Sequence, residues 1–169
     1  MPSQRAGRHP PPGQDAGVTP APPATLRPAG LGVRAVAFVL DGIVLGSFLM
    51  VFVALALLQL FLRTDTGARD SDAAVWTAVY MVMGWLAFVP LYHIVLWAWR
   101  GQTIGQMAVH VRVVRPDGSD IGVGRAVLRW IVYALSVLFL FLGFVPALWD
   151  DWRRGLPDLV AGTVVIDLA

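Results

Sequence analysis

Arg34 and Asp41 are the first residues whose types and spacing could support chemistry. They are seven positions apart at the start of a long apolar segment, so on a helix both project from one face. Arg34 can extend to the headgroup layer, whereas Asp41 lies about two turns deeper. A charged Asp at that depth costs on the order of 3 kcal/mol unless it is paired. We therefore expect an arginine from another segment, Arg125 or Arg129, to pair with Asp41.

Asp158 is a second acid that the sequence places in a weakly polar stretch, between Gly155 and Thr163. We predict one charge cluster, made of Arg34, Asp41, Arg125, Arg129 and Asp158. Such a cluster could form an ion path, because ionisable groups inside a membrane are functional hypotheses by default. It could also simply orient helices. We favour the structural interpretation, because a transporter would need more ionisable groups than one acidic residue per span near one membrane interface.

The sequence offers few other residues that could support catalysis or bind a metal or a cofactor. Cysteine is absent, which excludes disulfides, thiolate metal sites and cysteine nucleophiles. His93 has no second His on a spanning segment, so we expect a hydrogen-bonded His rather than a haem or quinone ligand. The stretch Gly101–Gly105 lacks the Gly-Lys-Ser/Thr of a phosphate loop. We therefore predict a protein that is not an enzyme and that has no cofactor or metal.

Three apolar segments must position these residues. Of the 169 residues, 57% are hydrophobic and 14% are charged, and the mean hydropathy is +0.66. Residues 35–62 contain one charge, residues 73–99 contain none, and residues 130–149 are also uncharged. About 20 apolar residues suffice to cross a bilayer. We predict an all-α membrane protein with transmembrane helices over about 33–62 and 73–99, and a third hydrophobic segment over about 125–149.

The third segment has two interpretations. Its length is typical of a span, but Gly143 and Pro146 interrupt it and two arginines follow at 153 and 154. Residues 109–114 alternate like a strand, and residues 163–166 are a plausible partner strand. Pairing them would require a re-entrant hairpin and a small cytoplasmic β element. The sequence leaves the span and the hairpin both open.

Arginine placement predicts the orientation. The loop between the first two helices contains two arginines and three aspartates. The opposite side receives many more arginines, at 5, 8, 27, 34, 100, 112 and 115. The positive-inside rule then places the amino terminus in the cytoplasm. We predict a multi-pass protein of the bacterial cytoplasmic (inner) membrane, with the lipid bilayer as a partner and no nucleic acid, because the arginines lie beside apolar spans.

Two further features bear on partners. Residues 1–30 hold eight of the twelve prolines, which predicts a disordered or partner-docking arm ahead of a membrane domain over 31–169. Gly42, Gly46 and Ser47 form a small-residue face for close helix packing. We expect that face to pack within the molecule rather than against a partner's helix.

The ordered set of motifs resembles the RDD family of small bacterial integral membrane proteins. The family takes its name from one Arg and two Asp, which match Arg34, Asp41 and Asp158. Supporting motifs are Gly101–Gly105, the Val-Arg-Val-Val run at 111–114, and residues 124–126, 128–129 and 161–165. The chain departs from the family at Gln106, where Lys is common, and at Pro157, where His is common, so no proton relay through that His is available.

The resemblance implies an integral membrane location, and some members have been proposed as cation or proton antiporters. From the residues we favour a non-catalytic accessory or scaffold subunit that packs against protein partners in a larger bacterial membrane complex, with respiratory complexes as one candidate host. The alternative is a small oligomeric cation/proton transporter that uses Arg34, Asp41 and Asp158.

Overall fold

A computed structural model describes residues 26–65 and 71–168. The predicted proline-rich arm therefore lies outside the described residues, except for its last five positions. Helix α1 (Leu31–Asp65) and helix α2 (Ser71–Arg100) are both long and apolar enough to cross a membrane, which confirms the two predicted transmembrane helices. They pack through aromatic side chains, with the Phe48 and Phe88 rings 5.1 Å apart between centroids.

A short helix and a strand follow α2. Helix α3 (Ile104–Ala108) is capped at its amino end by Thr103, whose hydroxyl accepts a hydrogen bond from the Gln106 backbone N–H. Strand β1 (Val111–Val114) then pairs antiparallel with the last strand, β2 (Val164–Asp167). The predicted β element is therefore present.

The segment before α1 joins the same end of the molecule. Pro28 bridges to Ile166 of β2, and the Ala29 amide donates to the Val165 carbonyl at 2.9 Å. The start of α1, the end of α2 and both strands therefore meet at one end of the helix pair, which we call the cap. The buried core of the cap consists of Ala29, Trp97, Val111, Val113, Ile121, Ala126 and Val165.

The third hydrophobic segment is broken. Helix α4 (Val123–Leu138) is followed by a 3-10 helix (Leu142–Leu148), and the two axes differ by 103°. The 3-10 helix packs closely against α4 at this bend. A Cβ added to Gly143 would lie only 1.9 Å from the Ser136 hydroxyl oxygen, so the contact has no room for a larger residue. Helix α5 (Leu156–Ala161) then packs against α4. One continuous helix over 125–149 is therefore wrong.

Strand pairing distinguishes the hairpin from the span. Strand β1 precedes α4 and strand β2 follows α5, yet the two are hydrogen-bonded from Val111↔Asp167 to Val114↔Val164. The chain must therefore return to the end of the molecule at which α4 starts. This geometry favours the re-entrant hairpin over a straight third crossing.

Candidate functional site

Asp158 is the centre of a buried ion cluster. It is 3% exposed and lies in the first turn of α5. Its Oδ2 accepts a hydrogen bond from Arg34 Nη1 at 3.0 Å and from the Gly155 amide at 3.1 Å, and its Oδ1 accepts from Arg129 Nη1. A carboxylate with a charged donor on each oxygen is well compensated in a low dielectric.

The two arginines connect this cluster to the rest of the fold. Arg34, on the first turn of α1, also donates from Nη2 to the Val165 carbonyl at 3.3 Å. Arg129, on α4, donates to Thr163 Oγ1 at 2.8 Å, and its guanidinium carbon lies 5.0 Å from the Trp97 ring centroid. The cluster therefore joins α1, α4, α5 and β2.

Asp41 has different partners from those that we predicted. Its Oδ1 accepts hydrogen bonds from Tyr92 Oη at 2.6 Å and from the Gly105 amide at 2.8 Å, and its Oδ2 accepts from Thr103 Oγ1 at 2.6 Å. The predicted pairing of Asp41 with Arg125 or Arg129 is wrong. The physical reason is that α3 packs against α1 and brings a hydroxyl and a backbone amide to the carboxylate, and these satisfy it without a cation.

Gly105 makes this close approach possible. A Cβ at this position would lie 2.2 Å from the Ala37 carbonyl oxygen and 2.9 Å from the Asp41 side chain. Only glycine lets the α3 backbone touch α1 here.

Arg125 lies apart from the other members of the predicted cluster. Its side chain is exposed, and Nη1 donates to the Gly162 carbonyl at 2.8 Å and to the Ala161 carbonyl at 3.5 Å. These are carbonyls at the carboxyl end of α5, where a cation is favourable. Arg125 therefore stabilises a helix end rather than a buried acid.

The remaining four members lie on the walls of one cavity of about 410 Å³, namely Arg34, Asp41, Arg129 and Asp158. The rest of its wall is mostly apolar and aromatic. His93 also lines it, and its Nδ1 lies 2.9 Å from the Val89 carbonyl, so this ring is hydrogen-bonded within its own helix. Among the described residues, no group of three or more His or Asp is placed to hold a metal ion.

The small-residue face of α1 does not pack inside the described part of the molecule. A Cβ added at Gly42 or Gly46 would have no contact within 4 Å. Ser47 Oγ donates to the Ile43 carbonyl of its own helix at 2.9 Å. The expected intramolecular packing of this face is therefore not observed.

The sequence analysis assigned no role in the site to four of its residues: Tyr92, Thr103, Gly105 and Thr163. One local signal was available, since Thr103 and Gln106 have the spacing of a capping box. That pattern predicts the start of α3, and Thr103 uses the same hydroxyl to accept from Gln106 and to donate to Asp41. Gln106 Oε1 in turn accepts from Trp97 Nε1 at 3.0 Å. The other three carry no such local pattern.

Sequence comparisons identify the family and several relatives of the chain. The RDD family profile matches residues 28–162. The chain is 27% identical to the uncharacterized protein YxaI of Bacillus subtilis, over 83% of this chain and 97% of that protein. It is 31% identical to the uncharacterized protein YckC of the same organism, over 82% of this chain and 84% of that protein.

A shorter match is to a proline-rich antigen homolog of Mycobacterium tuberculosis, which is 32% identical over 40% of this chain and 29% of that protein. No solved structure is significantly similar to the chain. The family profile covers most of the chain, including both spanning helices and the ion cluster. This membrane protein therefore belongs to the RDD family.

Proposed function

We propose that this protein is a non-catalytic accessory or scaffold subunit that packs against a larger bacterial membrane complex, for which a respiratory complex is one candidate. The open face of α1 carries the proposal. Gly42 and Gly46 have free space beside them, and the neighbouring Val39 and Met50 are 57% and 63% exposed. Small residues on a membrane helix let a second helix approach closely, so this face fits a helix of a partner.

The state of the buried acids supports a structural role. Asp41 and Asp158 both have each carboxylate oxygen engaged by donors from other elements. Asp41 holds α1 against α3, and Asp158 holds α5 against α1 through Arg34. A carboxylate that carries ions across a membrane must exchange its partners, whereas these are fixed by donors on several elements.

The placement in the cell is part of the proposal. Apart from Arg63 in the last turn of α1 and Arg69 between α1 and α2, every arginine belongs to the amino-terminal segment, the start of α1, the last residue of α2 or the chain beyond it. The positive-inside rule then puts the cap and the amino terminus in the cytoplasm, in a multi-pass protein of the inner membrane.

A bulky residue on the open face tests the scaffold role. Gly46→Phe fills the space that a partner helix would occupy, whereas Val51→Phe adds a similar ring to another exposed position of α1. After extraction in a gentle detergent, the native chain and the Val51 variant should retain the same membrane proteins by quantitative mass spectrometry. The Gly46 variant should lose most of them. Equal retention by all three chains would contradict the proposal.

A cation/proton transporter is the second candidate, and the shared cavity is the observation that favours it. Asp41, His93 and Asp158 all reach its wall. Purified protein in liposomes with an imposed pH gradient should then exchange a monovalent cation for protons. Asp41→Asn should abolish the exchange if Asp41 takes part. Absence of exchange by the native chain would remove this candidate.

A further inference from the structure

We propose that the cavity between α1, α4 and the 3-10 helix binds an anionic amphiphile, with its carboxylate or phosphate group on Arg129 and its alkyl chain along the apolar wall. The site lies in the same chain as the proposed scaffold face but is separate from it, since Gly42 and Gly46 do not line the cavity.

The first argument is the unused edge of the Arg129 guanidinium. The side chain is only 7% exposed, and both of its hydrogen bonds leave from Nη1. Nε is buried without a hydrogen-bond partner among the described residues. Nε and Nη2 form one edge of the planar group, and two parallel N–H bonds from such an edge suit a carboxylate or a phosphate.

The second argument is the local charge. Arg34 and Arg129 share the single carboxylate of Asp158, so this ion-paired group holds two cations and one acid. The other acid on the wall, Asp41, already has both oxygens engaged by Tyr92, Thr103 and Gly105. Asp41 balances the charge of the wall as a whole, but among the described residues it forms no ion pair with Arg129. An anionic group at the free edge of Arg129 would therefore gain direct charge-assisted hydrogen bonds.

The third argument is the composition and opening of the cavity. Its volume of about 410 Å³ is within the range of small-molecule sites, roughly 300–1,000 Å³, and such sites combine apolar walls with a few polar groups. Asp41, His93, Arg129 and Asp158 on the wall are buried. Phe38, Phe141 and Leu148 on the same wall are exposed by 39%, 46% and 64%. The cavity therefore runs from an apolar, lipid-accessible rim to a charged interior.

These features distinguish an amphiphile from a free anion. A free phosphate would use the guanidinium edge but would leave the aromatic rim unfilled. An uncharged lipid would fill the rim but would leave the Arg129 edge unpaired. Two sources share the required chemistry, a free fatty acid and an anionic phospholipid, and the experiment separates them.

Native mass spectrometry of the full-length protein in detergent tests the site. The protein is titrated separately with palmitate, phosphatidylglycerol and phosphatidylcholine, the two phospholipids having the same acyl chains. The native chain should bind one molecule of palmitate or phosphatidylglycerol at least tenfold more tightly than phosphatidylcholine. Tighter binding of palmitate would identify a single-chain ligand, and tighter binding of phosphatidylglycerol a phospholipid.

Two variants with matched controls complete the test. Arg129→Gln should remove the preference for the anionic ligand, whereas Arg125→Gln removes an exposed arginine one turn away and should preserve it. Val145→Trp should fill the rim and weaken binding at least tenfold, whereas Leu135→Trp alters an exposed position outside the cavity. If Arg129→Gln does not fold, the comparison of Val145→Trp with Leu135→Trp still tests the binding site. Equal affinity for phosphatidylcholine in the native chain, or unchanged binding in Val145→Trp, would overturn the proposal.

Discussion

Arg34 and Asp158 are 124 positions apart in the chain, yet their side chains form an ion pair of 3.0 Å in which the acid is buried. Arg129 binds the other oxygen of the same carboxylate. The amino-terminal turn of α1 is therefore fixed to α4 and α5 through a single acid. This arrangement makes Asp158, rather than Asp41, the residue on which the charge cluster depends.

A double-mutant cycle distinguishes the two acids. Asp158→Leu leaves the buried Arg129 and the partly buried Arg34 without the acid that they share, so it should cost about 3–5 kcal/mol in free energy of unfolding. Arg129→Leu should cost less, because Arg34 still compensates Asp158. The double variant should be less damaged than the sum, with a coupling of about 0.5–3 kcal/mol.

The matched cycle combines Arg129→Leu with Asp41→Leu. These two side chains line the same cavity but share no hydrogen-bond partner, so their coupling should be smaller than that between Asp158 and Arg129. Denaturant titration of the purified protein in detergent measures all of these variants. A strong coupling between Asp41 and Arg129, with none between Asp158 and Arg129, would refute the assignment of partners.

Gly105→Ala tests the contact between α3 and α1. The new methyl group would clash with the Ala37 carbonyl and displace the Gly105 amide from Asp41. We expect a lower midpoint of thermal unfolding, by several degrees. Gly124→Ala is the control, because a Cβ there meets nothing within 4 Å and alanine favours a helix. If both variants unfold at the native temperature, the close approach of α3 to α1 is wrong.

Hydropathy predicted the two spanning helices because membrane spans are long and uniformly apolar, as residues 35–62 and 73–99 are. The alternation at 109–114 likewise predicted β1, which the structure has over Val111–Val114. These features are local, so they can be recognised without knowledge of the tertiary fold.

The partners of the buried acids could not be predicted in the same way. Asp41 is satisfied partly by the backbone amide of Gly105, and a backbone donor has no sequence signature. The pairing of Arg34 with Asp158 depends on β1 and β2 meeting across the whole hairpin. The depth of Asp41 in its apolar segment indicated only that the carboxylate needed a partner. Arginines were the cations available, but in the fold the neutral donors of Tyr92, Thr103 and Gly105 bind it instead.

Reporter fusions test the topology. Because β1 and β2 pair, the end of β2 lies at the same end of the helix pair as the loop around Gly118. Fusions before residue 30, at residue 118 and after Ala169 should therefore all report the cytoplasmic side. Periplasmic activity at residue 118 would contradict the two-helix orientation, and periplasmic activity after Ala169 alone would restore the third span.

The turn after the 3-10 helix should depend on pH through Asp150. This carboxylate accepts hydrogen bonds from the Trp152 and Arg154 amides and from the Arg154 guanidinium, at 2.8–3.1 Å. The hydrogen bonds from Arg154 lower the pKa of Asp150 below its ordinary value of 3.8. Its stabilisation is therefore complete above the ordinary value and is lost as the pH falls through the lower, folded-state pKa.

NMR can follow this titration at the Trp152 and Arg154 amide protons. In the native chain both shifts should stay constant down to about pH 4 and change only below it. Asp150→Asn should abolish the change. A transition of the native shifts well above pH 4 would show that the Arg154 contact does not form.

Deletion of residues 2–24 tests the proline-rich arm as a tether in the proposed complex. The deletion spares Leu26 and Ala29, which pack in the cap, so membrane insertion and the unfolding midpoint should not change. Retention of partner proteins during purification should fall, because cutting one of several attachments lowers the effective concentration of the others. A Gly/Ser chain of equal length preserves the reach of the arm but removes any polyproline geometry. If the truncated and substituted chains both retain partners as well as the native chain does, the arm is not a tether, and any association must depend on the face of α1.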